Sequence, residues 1–223
     1  MPQEIRTINT GGVNCYLVKT RDGGYVLIDT GFANKRTKLE QELQSAGCKP
    51  GNLKLIVLTH GDSDHAGNCA YLREKYSTKI ALHPGDSGMV ERGDMSWNRK
   101  AKPDKVAMLF RLMMFLFGRT SNFDLFKADI ALEDGQDLAE YGLDAKILHL
   151  RGHSKGSVGI LTTDGDLFCG DLVWNIGKPG FHYIDDLAAA NSSIEKLKIM
   201  EVKIVYPGHG KPFQIKRLVK NHR

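Results

Sequence analysis

The sequence predicts an α/β protein in which two β-sheets carry helices on their outer sides. Seven apolar or alternating runs have the length and composition of strands, and amphipathic helical patterns separate some of them. A stretch rich in strands is followed by a stretch in which strands and helices alternate, and this succession occurs twice along the chain. Such a repeat favours two sheets over one. We predict strands at residues 14–20, 25–31, 53–59, 145–150, 158–165, 166–171 and 202–208, and helices at 33–47, 66–76 and 187–200.

The composition is that of an ordinary globular protein. The 223 residues are 41% hydrophobic and 26% charged, as in soluble domains. No charge-poor apolar run approaches the length of about 20 residues that crosses a bilayer, and the N-terminal residues show no secretory signal. The four cysteines lie far apart in the sequence, which favours reduced thiols. We therefore expect a cytoplasmic protein without a transmembrane segment.

The formal net charge of +5 comes from the C-terminal tail. Five cations follow residue 210 and no carboxylate does, so residues 1–210 are balanced. Proteins that bind nucleic acid usually spread their cations over a whole face. We interpret the tail as a solvated end and expect no nucleic-acid partner. The five cations are Lys211, Lys216, Arg217, Lys220 and Arg223.

Residues 91–127 form the least typical segment. Polar residues lead into a nearly all-apolar run that predicts a helix at 106–117, with Arg111 as its only charge. Such a helix is too short to span a membrane, and burial is its simplest interpretation. Its Met and Phe residues could instead form a lid over an apolar substrate or an oligomer contact. The whole segment has eight Lys and Arg against four Asp and Glu.

The turn at residues 60–65, within the stretch LTHGDSDHAGN, concentrates side chains that bind cations. In an extended loop, His60 and Asp62 point the same way, while Asp64 and His65 lie at the turn into the next helix. Imidazole and carboxylate groups are the usual ligands of zinc, manganese and iron. The alternative is an acidic turn whose aspartates cap the helix. A cap, however, needs one carboxylate and no histidine.

Three other strands are followed by residues of the same kind. His153 lies in a glycine-flanked loop after the strand at 145–150, Asp171 ends the strand at 166–171, and His209 lies in a Pro/Gly turn near residue 208. Loops that follow strands gather at one edge of an α/β sheet. These residues therefore favour a metal site over the capping alternative.

Five short motifs, and the order in which they occur along the chain, resemble those of the metallo-β-lactamase superfamily of metallo-hydrolases. The resemblance covers nearly the whole chain, and the combination of motifs is highly specific. It implies a four-layer αββα sandwich, with residues 1–223 forming one domain and a helical insertion at about 86–127. It also implies a dinuclear metal centre between the sheet edges. The motifs are VLIDTG, THGDSDHAGN, RGHSKGSVG, FCGD and PGHG.

The resemblance also implies a set of ligands. His60, Asp62 and His153 would hold the first metal ion, while Asp64, His65 and His209 would hold the second. Asp171 would bridge both ions, and Asp64 would also act as the general base. Asp29, from the first motif, is expected to support the ligand loops through hydrogen bonds rather than to bind metal.

One position departs from the family pattern HxHxDH. Residue 62 is Asp, so the motif here is HxDxDH; the diiron branch of the family carries Glu at that place. An oxygen ligand favours harder cations, which makes iron or manganese alternatives. We expect two divalent ions, with zinc as the first choice.

These features predict a metal-dependent hydrolase that uses a metal-bridging hydroxide on a small-molecule ester, thioester or lactone. Hydrolysis of a phosphodiester or phosphonate is the alternative, favoured if the basic surplus of residues 91–127 faces the cleft. Redox chemistry at iron and a binding role without turnover are less favoured. His182 and Tyr183, which follow Asp171, are candidates for contact with substrate.

Overall fold

The computed structural model describes residues 3–106 and 123–221, and two β-sheets stacked face to face dominate this part. The first sheet has the order β1-β2-β3-β4-β5-β7. Its first three strands pair antiparallel, and β3, β4, β5 and β7 pair parallel. These strands are β1 (Ile5–Asn9), β2 (Asn14–Lys19), β3 (Tyr25–Ile28), β4 (Leu53–Val57), β5 (Lys79–Leu82) and β7 (Ile130–Ala131).

The second sheet has the order β15-β14-β10-β9-β8, in which only β10 and β14 pair parallel. Two short pairs, β11 with β12 and β6 with β13, lie beside the sheets. The strands are β6 (Lys105–Val106), β8 (Ala145–His149), β9 (Val158–Thr162), β10 (Asp166–Gly170), β11 (Trp174–Ile176), β12 (Lys178–Gly180), β13 (Tyr183–Ile184), β14 (Ile204–Pro207) and β15 (Phe213–Gln214).

Six α-helices connect the strands in the described residues. They are α1 (Arg36–Ser45), α2 (Ser63–Ala66), α3 (Cys69–Tyr76), α4 (Ser87–Arg92), α5 (Leu187–Lys198) and α6 (Lys216–Asn221). Single 3₁₀ turns occur at Ala33–Lys35, Pro84–Asp86 and Ala139–Tyr141.

Three hydrophobic clusters show how the layers stack. The central cluster joins β2, β3 and β4 of the first sheet to β8, β9 and β10 of the second. A second cluster lies between the first sheet and helices α1 and α3. The third lies between the second sheet and helix α5. The layers are therefore helix, sheet, sheet and helix, as expected for the αββα sandwich.

Strand β4 explains why the sheets are buried on both sides. Its side chains at Leu55 and Val57 join the central cluster, whereas Ile56 joins the cluster beneath the helices. Successive side chains of a strand point to opposite faces, so a strand segment between two apolar layers is apolar on both faces. This is why residues 55–57 of the run LKLIV are all apolar and buried, whereas Lys54 near its start is exposed.

Helix α5 shows how the sequence sets an outer layer. Asp186 caps its N-terminus, since the carboxylate accepts a hydrogen bond from Ala189 N at 2.9 Å. Ala190, Ile194 and Leu197 lie on one face at helical spacing and are buried. The apolar face therefore packs on the second sheet while the opposite face remains polar.

The strands and helices predicted from the sequence are confirmed, with ends that differ by a few residues. Strand β1, the short strands β6, β7, β11, β12, β13 and β15, and helices α4 and α6 were not predicted. The predicted extended loop at residues 60–65 is shorter than expected, because α2 begins at Ser63. The predicted apolar helix at 106–117 falls almost wholly outside the described residues. The prediction is wrong for its first residue, Val106, which pairs with Tyr183 in a short strand instead of beginning a helix.

No helix in the described residues has the length and apolar character that crossing a membrane requires.

Truncation of the central cluster should destabilise the fold. Leu55 is fully buried between the sheets, so Leu55→Ala is expected to lower the free energy of unfolding by about 2 to 5 kcal/mol. Ile199 is 88% exposed, and Ile199→Ala should change it by less than about 0.5 kcal/mol. Urea unfolding followed by circular dichroism measures both. Equal effects of the two variants would contradict this arrangement of layers.

Candidate metal centre

Residues from four loops meet at one edge of the two sheets. His60 follows β4, His153 follows β8, Asp171 follows β10 and His209 follows β14. Two sets of His and Asp side chains that could bind a metal ion lie there. Within each set, one possible metal-binding atom from each residue lies within 4.8 Å of the others. We name them the first group (His60, His153 and Asp171) and the second group (Asp64, His65 and His209). Six of the seven predicted ligands are thus brought together in the two groups. The seventh, Asp62, lies beside the first group and is described below.

Asp171 lies between the two groups. It belongs to the first group, yet its Oδ1 lies 3.4 Å from His65 Nε2 and its Oδ2 lies 3.3 Å from His209 Nε2. One carboxylate therefore faces histidines of both groups. This is the position that the resemblance implied for a bridging ligand.

A glycine makes room for this carboxylate. A Cβ atom built on Gly208 would lie 2.1 Å from Asp171 Oδ1 and 2.7 Å from His65 Cε1. No side chain fits at that distance, so the residue before His209 has to be glycine. The glycine of the PGHG motif thus has a steric role at the centre.

All four histidines are fixed by hydrogen bonds at Nδ1. His153 Nδ1 lies 2.9 Å from Tyr183 O, and His209 Nδ1 lies 2.9 Å from Gly12 O. His65 Nδ1 lies 2.8 Å from Asp29 Oδ2. Since carbonyl and carboxylate oxygens only accept, each of these three Nδ1 atoms donates. In the neutral ring, Nε2 then carries a lone pair.

The fourth histidine, His60, obeys the same rule through a hydroxyl. Thr59 Oγ1 donates to Asp29 Oδ2 at 2.8 Å, so its oxygen accepts from His60 Nδ1 at 2.9 Å. The Nε2 atom of His60 is therefore also free to accept or to bind a cation. Hydrogen bonds of this kind orient metal-binding histidines and set their tautomer.

Asp29 supports the ligand turn, as predicted. Its carboxylate is buried and accepts from Thr59 N and Thr59 Oγ1, each at 2.8 Å, besides contacting His65. Its φ of 58° lies in the left-handed region, where Asp and Asn are tolerated better than most residues. Asp29 therefore holds His65 directly and His60 through Thr59.

The donor atoms fit bound cations. Within the described residues, four buried atoms at the centre have no hydrogen-bond partner: Nε2 of His60, His65 and His209, and Oδ1 of Asp171. Buried polar atoms without partners are rare and costly. Lone pairs of imidazole and carboxylate that face one another need a positive charge between them. This donor set of nitrogen and oxygen suits zinc, iron or manganese.

The pKa values of the second group reflect a strong negative field. Burial lowers the pKa of His65, but Asp171, Asp29 and Asp64 outweigh it and hold this pKa well above its usual value. For His209, burial also lowers the pKa, yet Asp171 and Asp64 raise it to about 10. A field that raises imidazole pKa values also attracts divalent cations.

Histidines hold the carboxylates ionised. Burial alone would raise the pKa of Asp171, but His209 and His65 keep it well below its usual range. Asp64 follows the same pattern, since His65 and His209 lower its pKa against the effect of burial. In the first group, burial and then His65 and His153 lower the pKa of His60.

Asp62 faces a residue that the sequence did not predict. Its Oδ2 lies 2.9 Å from His153 Nε2 and 3.5 Å from His60 Nε2, so it reaches the first group. The same carboxylate accepts two hydrogen bonds from Arg99 Nη2, at 2.9 and 2.8 Å. Burial raises the pKa of Asp62, but Arg99 and His153 hold it well below its usual range. Asp62 makes no side-chain cap on α2, which contradicts the capping alternative for this residue.

Asp86 is a second residue that the sequence did not predict. It is fully buried, and its carboxylate accepts from Gly61 N at 3.1 Å, Ser154 Oγ at 2.6 Å and Gly156 N at 2.8 Å. Gly61 follows His60, and Ser154 follows His153. Asp86 therefore ties two ligand loops together.

The other histidines in the described residues lie apart from the two groups. His83 stacks on His149 with ring centroids 4.1 Å apart. His182 stacks on Trp174, whose indole also lies 4.1 Å from the His209 ring. The Trp174 indole thus lies between His182 and the candidate ligand His209.

The sequence model that describes the metallo-beta-lactamase superfamily matches residues 8–209 of the chain. The chain belongs to this superfamily. The match includes every residue of both groups, and it agrees with the four-layer fold and with the resemblance of the five motifs.

Curated relatives are similar along most of the chain at low identity. A hydroxyacylglutathione hydrolase, GloC, from Haemophilus influenzae is 26% identical, over 93% of this chain and 90% of its own length. An acyl-coenzyme A thioesterase, MBLAC2, from Bos taurus is 25% identical, over 93% of this chain and 76% of its own length. The beta-lactamase-like protein 2 homolog from Drosophila melanogaster is 26% identical over 89% of this chain, which spans only 59% of that protein.

A solved structure has the same fold and a similar extent. The protein TTHA1623, in a di-iron-bound form, is 27% identical with a TM-score of 0.67, and 97% of each chain is covered. These similarities place the chain among the metallo-hydrolases of the superfamily.

Removal of Asp86 should loosen the centre without touching a candidate ligand. Asp86→Ala leaves three buried donors unsatisfied, so we expect a loss of more than about 2 kcal/mol in unfolding free energy and about a 10- to 100-fold loss in zinc affinity. Competition with a chromophoric chelator measures the affinity. Asp94, which is exposed in the same segment, gives the control Asp94→Ala. Unchanged zinc affinity in Asp86→Ala would contradict its role.

Proposed function

We propose that this metallo-hydrolase cleaves a small-molecule thioester, ester or lactone at the centre formed by the two groups. The observation that carries the proposal is the convergence of four histidine Nε2 atoms and the Asp171 carboxylate from separate loops. The thioester class comes first because two relatives are named for thioesters, a hydroxyacylglutathione and an acyl-coenzyme A.

The first and second groups would each hold one divalent cation, with Asp171 shared between them. Cations held there supply a water of lowered pKa and polarise the carbonyl oxygen of the substrate. We take zinc as the metal; the di-iron-bound relative supports iron as the alternative.

Asp64 is the residue that we assign to proton transfer. Its side chain is 23% exposed, compared with 4% for Asp171, so water reaches it from the cleft. Its Oδ2 lies 3.6 Å from His209 Nε2, so its carboxylate faces the proposed cation site and can accept a proton from a water held there. In hydrolysis the water oxygen bonds to the acyl carbon and the carbon–sulfur or carbon–oxygen bond breaks. The proton taken by Asp64 then passes to the leaving sulfur or oxygen.

Trp174 provides an apolar wall beside this proton acceptor. Its indole packs between the rings of His209 and His182, at 4.1 and 5.1 Å. A substrate bound at His209 would meet the indole and the short β11–β12 hairpin, whose Ile176 is 59% exposed. Such a surface suits an acyl group. It makes His182 a better candidate for substrate contact than Tyr183, whose carbonyl supports His153.

At least three of the six Lys and Arg residues in the described part of residues 91–127 make contacts within the protein, which weakens the case for a phosphodiester. Arg99 pairs with Asp62, Lys100 pairs with Asp104 and Asp186, and Arg92 stacks on Trp97. These cations are therefore engaged in contacts within the protein, and hydrolysis of an acyl bond remains the preferred proposal.

A panel of one hydroxyacylglutathione, one acyl-coenzyme A, one lactone and one phosphodiester tests the proposal. We expect kcat/KM to be highest for an acyl substrate. Asp64→Ala and His60→Ala should each lose at least about 100-fold, since they remove the proton acceptor and a candidate ligand.

Asp94→Ala is the matched control for Asp64→Ala, because Asp94 is exposed and lies outside both groups. It should retain hydrolysis within about threefold. Turnover confined to the phosphodiester would overturn the proposed substrate class. Near-normal turnover in Asp64→Ala or His60→Ala would overturn the assignment of the site.

A further inference from the structure

Arg99 places a buried positive charge against the first group. Its side chain is only 5% exposed, and Nη2 donates to both oxygens of Asp62 at 2.9 and 2.8 Å. The same Nη2 lies 3.3 Å from His153 Nε2, an atom that the proposed centre assigns to a cation. The guanidinium plane also packs over the Tyr183 ring, with Cζ 5.2 Å from its centroid. Arg99 is therefore held in this position from two sides.

The contact explains how the fold tolerates Asp at position 62. A histidine there would be a neutral ligand, whereas Asp adds one negative charge to a nearly buried site. An isolated buried carboxylate is costly unless it is paired. Arg99 supplies the opposite charge and the hydrogen bonds, so the pair is nearly neutral as a unit.

The second group has no such counter-charge. Its members Asp64, His65 and His209 contact one another and Asp171, and no Lys or Arg makes an ion pair with them in the described residues. The negative field of Asp64 and Asp171 is therefore available to a cation. In the first group, a cation would share Asp62 with the guanidinium and would lie a few ångströms from a like charge, where repulsion is strong at the low effective dielectric of a buried site.

We propose that Arg99 makes the two halves of the centre unequal, so that the second group takes up a divalent cation first and at least about tenfold more tightly than the first group. This inference rests on the proposed function, because it concerns the same two groups. It assigns to Arg99 a positioning role toward Asp62 and a regulatory role in metal loading, rather than a role at the reacting atoms.

Zinc titration of the whole chain against a chromophoric chelator tests this inference. The wild-type protein should bind zinc in two separable steps, and crystals grown with one equivalent should show the anomalous peak among Asp64, His65 and His209. In Arg99→Gln the weaker step should tighten by at least about tenfold while the stronger step changes by less than about threefold. In Asp62→Asn, which leaves the guanidinium without its partner, the weaker step should weaken further.

Arg92→Gln is the matched control, since Arg92 is exposed in the same segment and contacts Trp97; both steps should match the wild-type protein. Two equal steps in the wild-type protein, or a weaker step unchanged by Arg99→Gln, would overturn the inference and leave the centre intact. If Arg99→Gln fails to fold, the position of the anomalous peak at one equivalent still decides, because a first peak among His60, His153 and Asp171 would overturn the inference. Absence of zinc binding in the wild-type protein would instead overturn the proposed function.

Discussion

The centre depends on the orientation of four imidazole rings whose Nδ1 atoms are all committed to oxygen acceptors. Carbonyl groups of Gly12 and Tyr183, the carboxylate of Asp29 and the hydroxyl of Thr59 hold these nitrogens. The Nε2 lone pairs consequently face inward on Asp171 and its neighbours. With all four rings neutral, such an arrangement is unfavourable, because acceptor atoms face acceptor atoms. A bound cation, or protons on His65 and His209, whose pKa values are raised, supplies the positive charge. The fold supports it through buried sheets that fix the four strand ends.

Two buried aspartates, Asp29 and Asp86, hold the loops that carry the candidate ligands. Asp29 holds the turn after β4 from the side of β3, and Asp86 joins that turn to the loop after β8. Neither carboxylate belongs to the two candidate groups. The geometry of the centre thus depends on two carboxylates outside both groups. Asp86 is satisfied by backbone amides and a hydroxyl, whereas Asp29 also contacts His65 and so affects both the orientation and the pKa of that ring.

The sequence predicted the layers, seven of the eleven strands described in the two main sheets and the seven converging side chains for an identifiable reason. Apolar runs mark the strands, and polar residues at the ends of parallel strands must lie at one edge. Arg99 and Asp86 could not be predicted in this way. Arg99 lies 37 positions from Asp62 in an irregular stretch, where no periodicity sets the direction of a side chain. Strand β1 was missed because its run, IRTIN, is short and partly polar. The substrate depends on loop surfaces such as the β11–β12 hairpin, which spacing does not describe.

Anomalous diffraction from crystals of the purified protein, with data collected across the zinc and iron edges, tests the central claim most directly. We expect two peaks, one among His60, His153 and Asp171 and the other among Asp64, His65 and His209, with Asp171 in contact with both. The element follows from the edge at which the peaks appear. Fully loaded crystals with no peak in either group, or a peak elsewhere on the chain, would contradict the account.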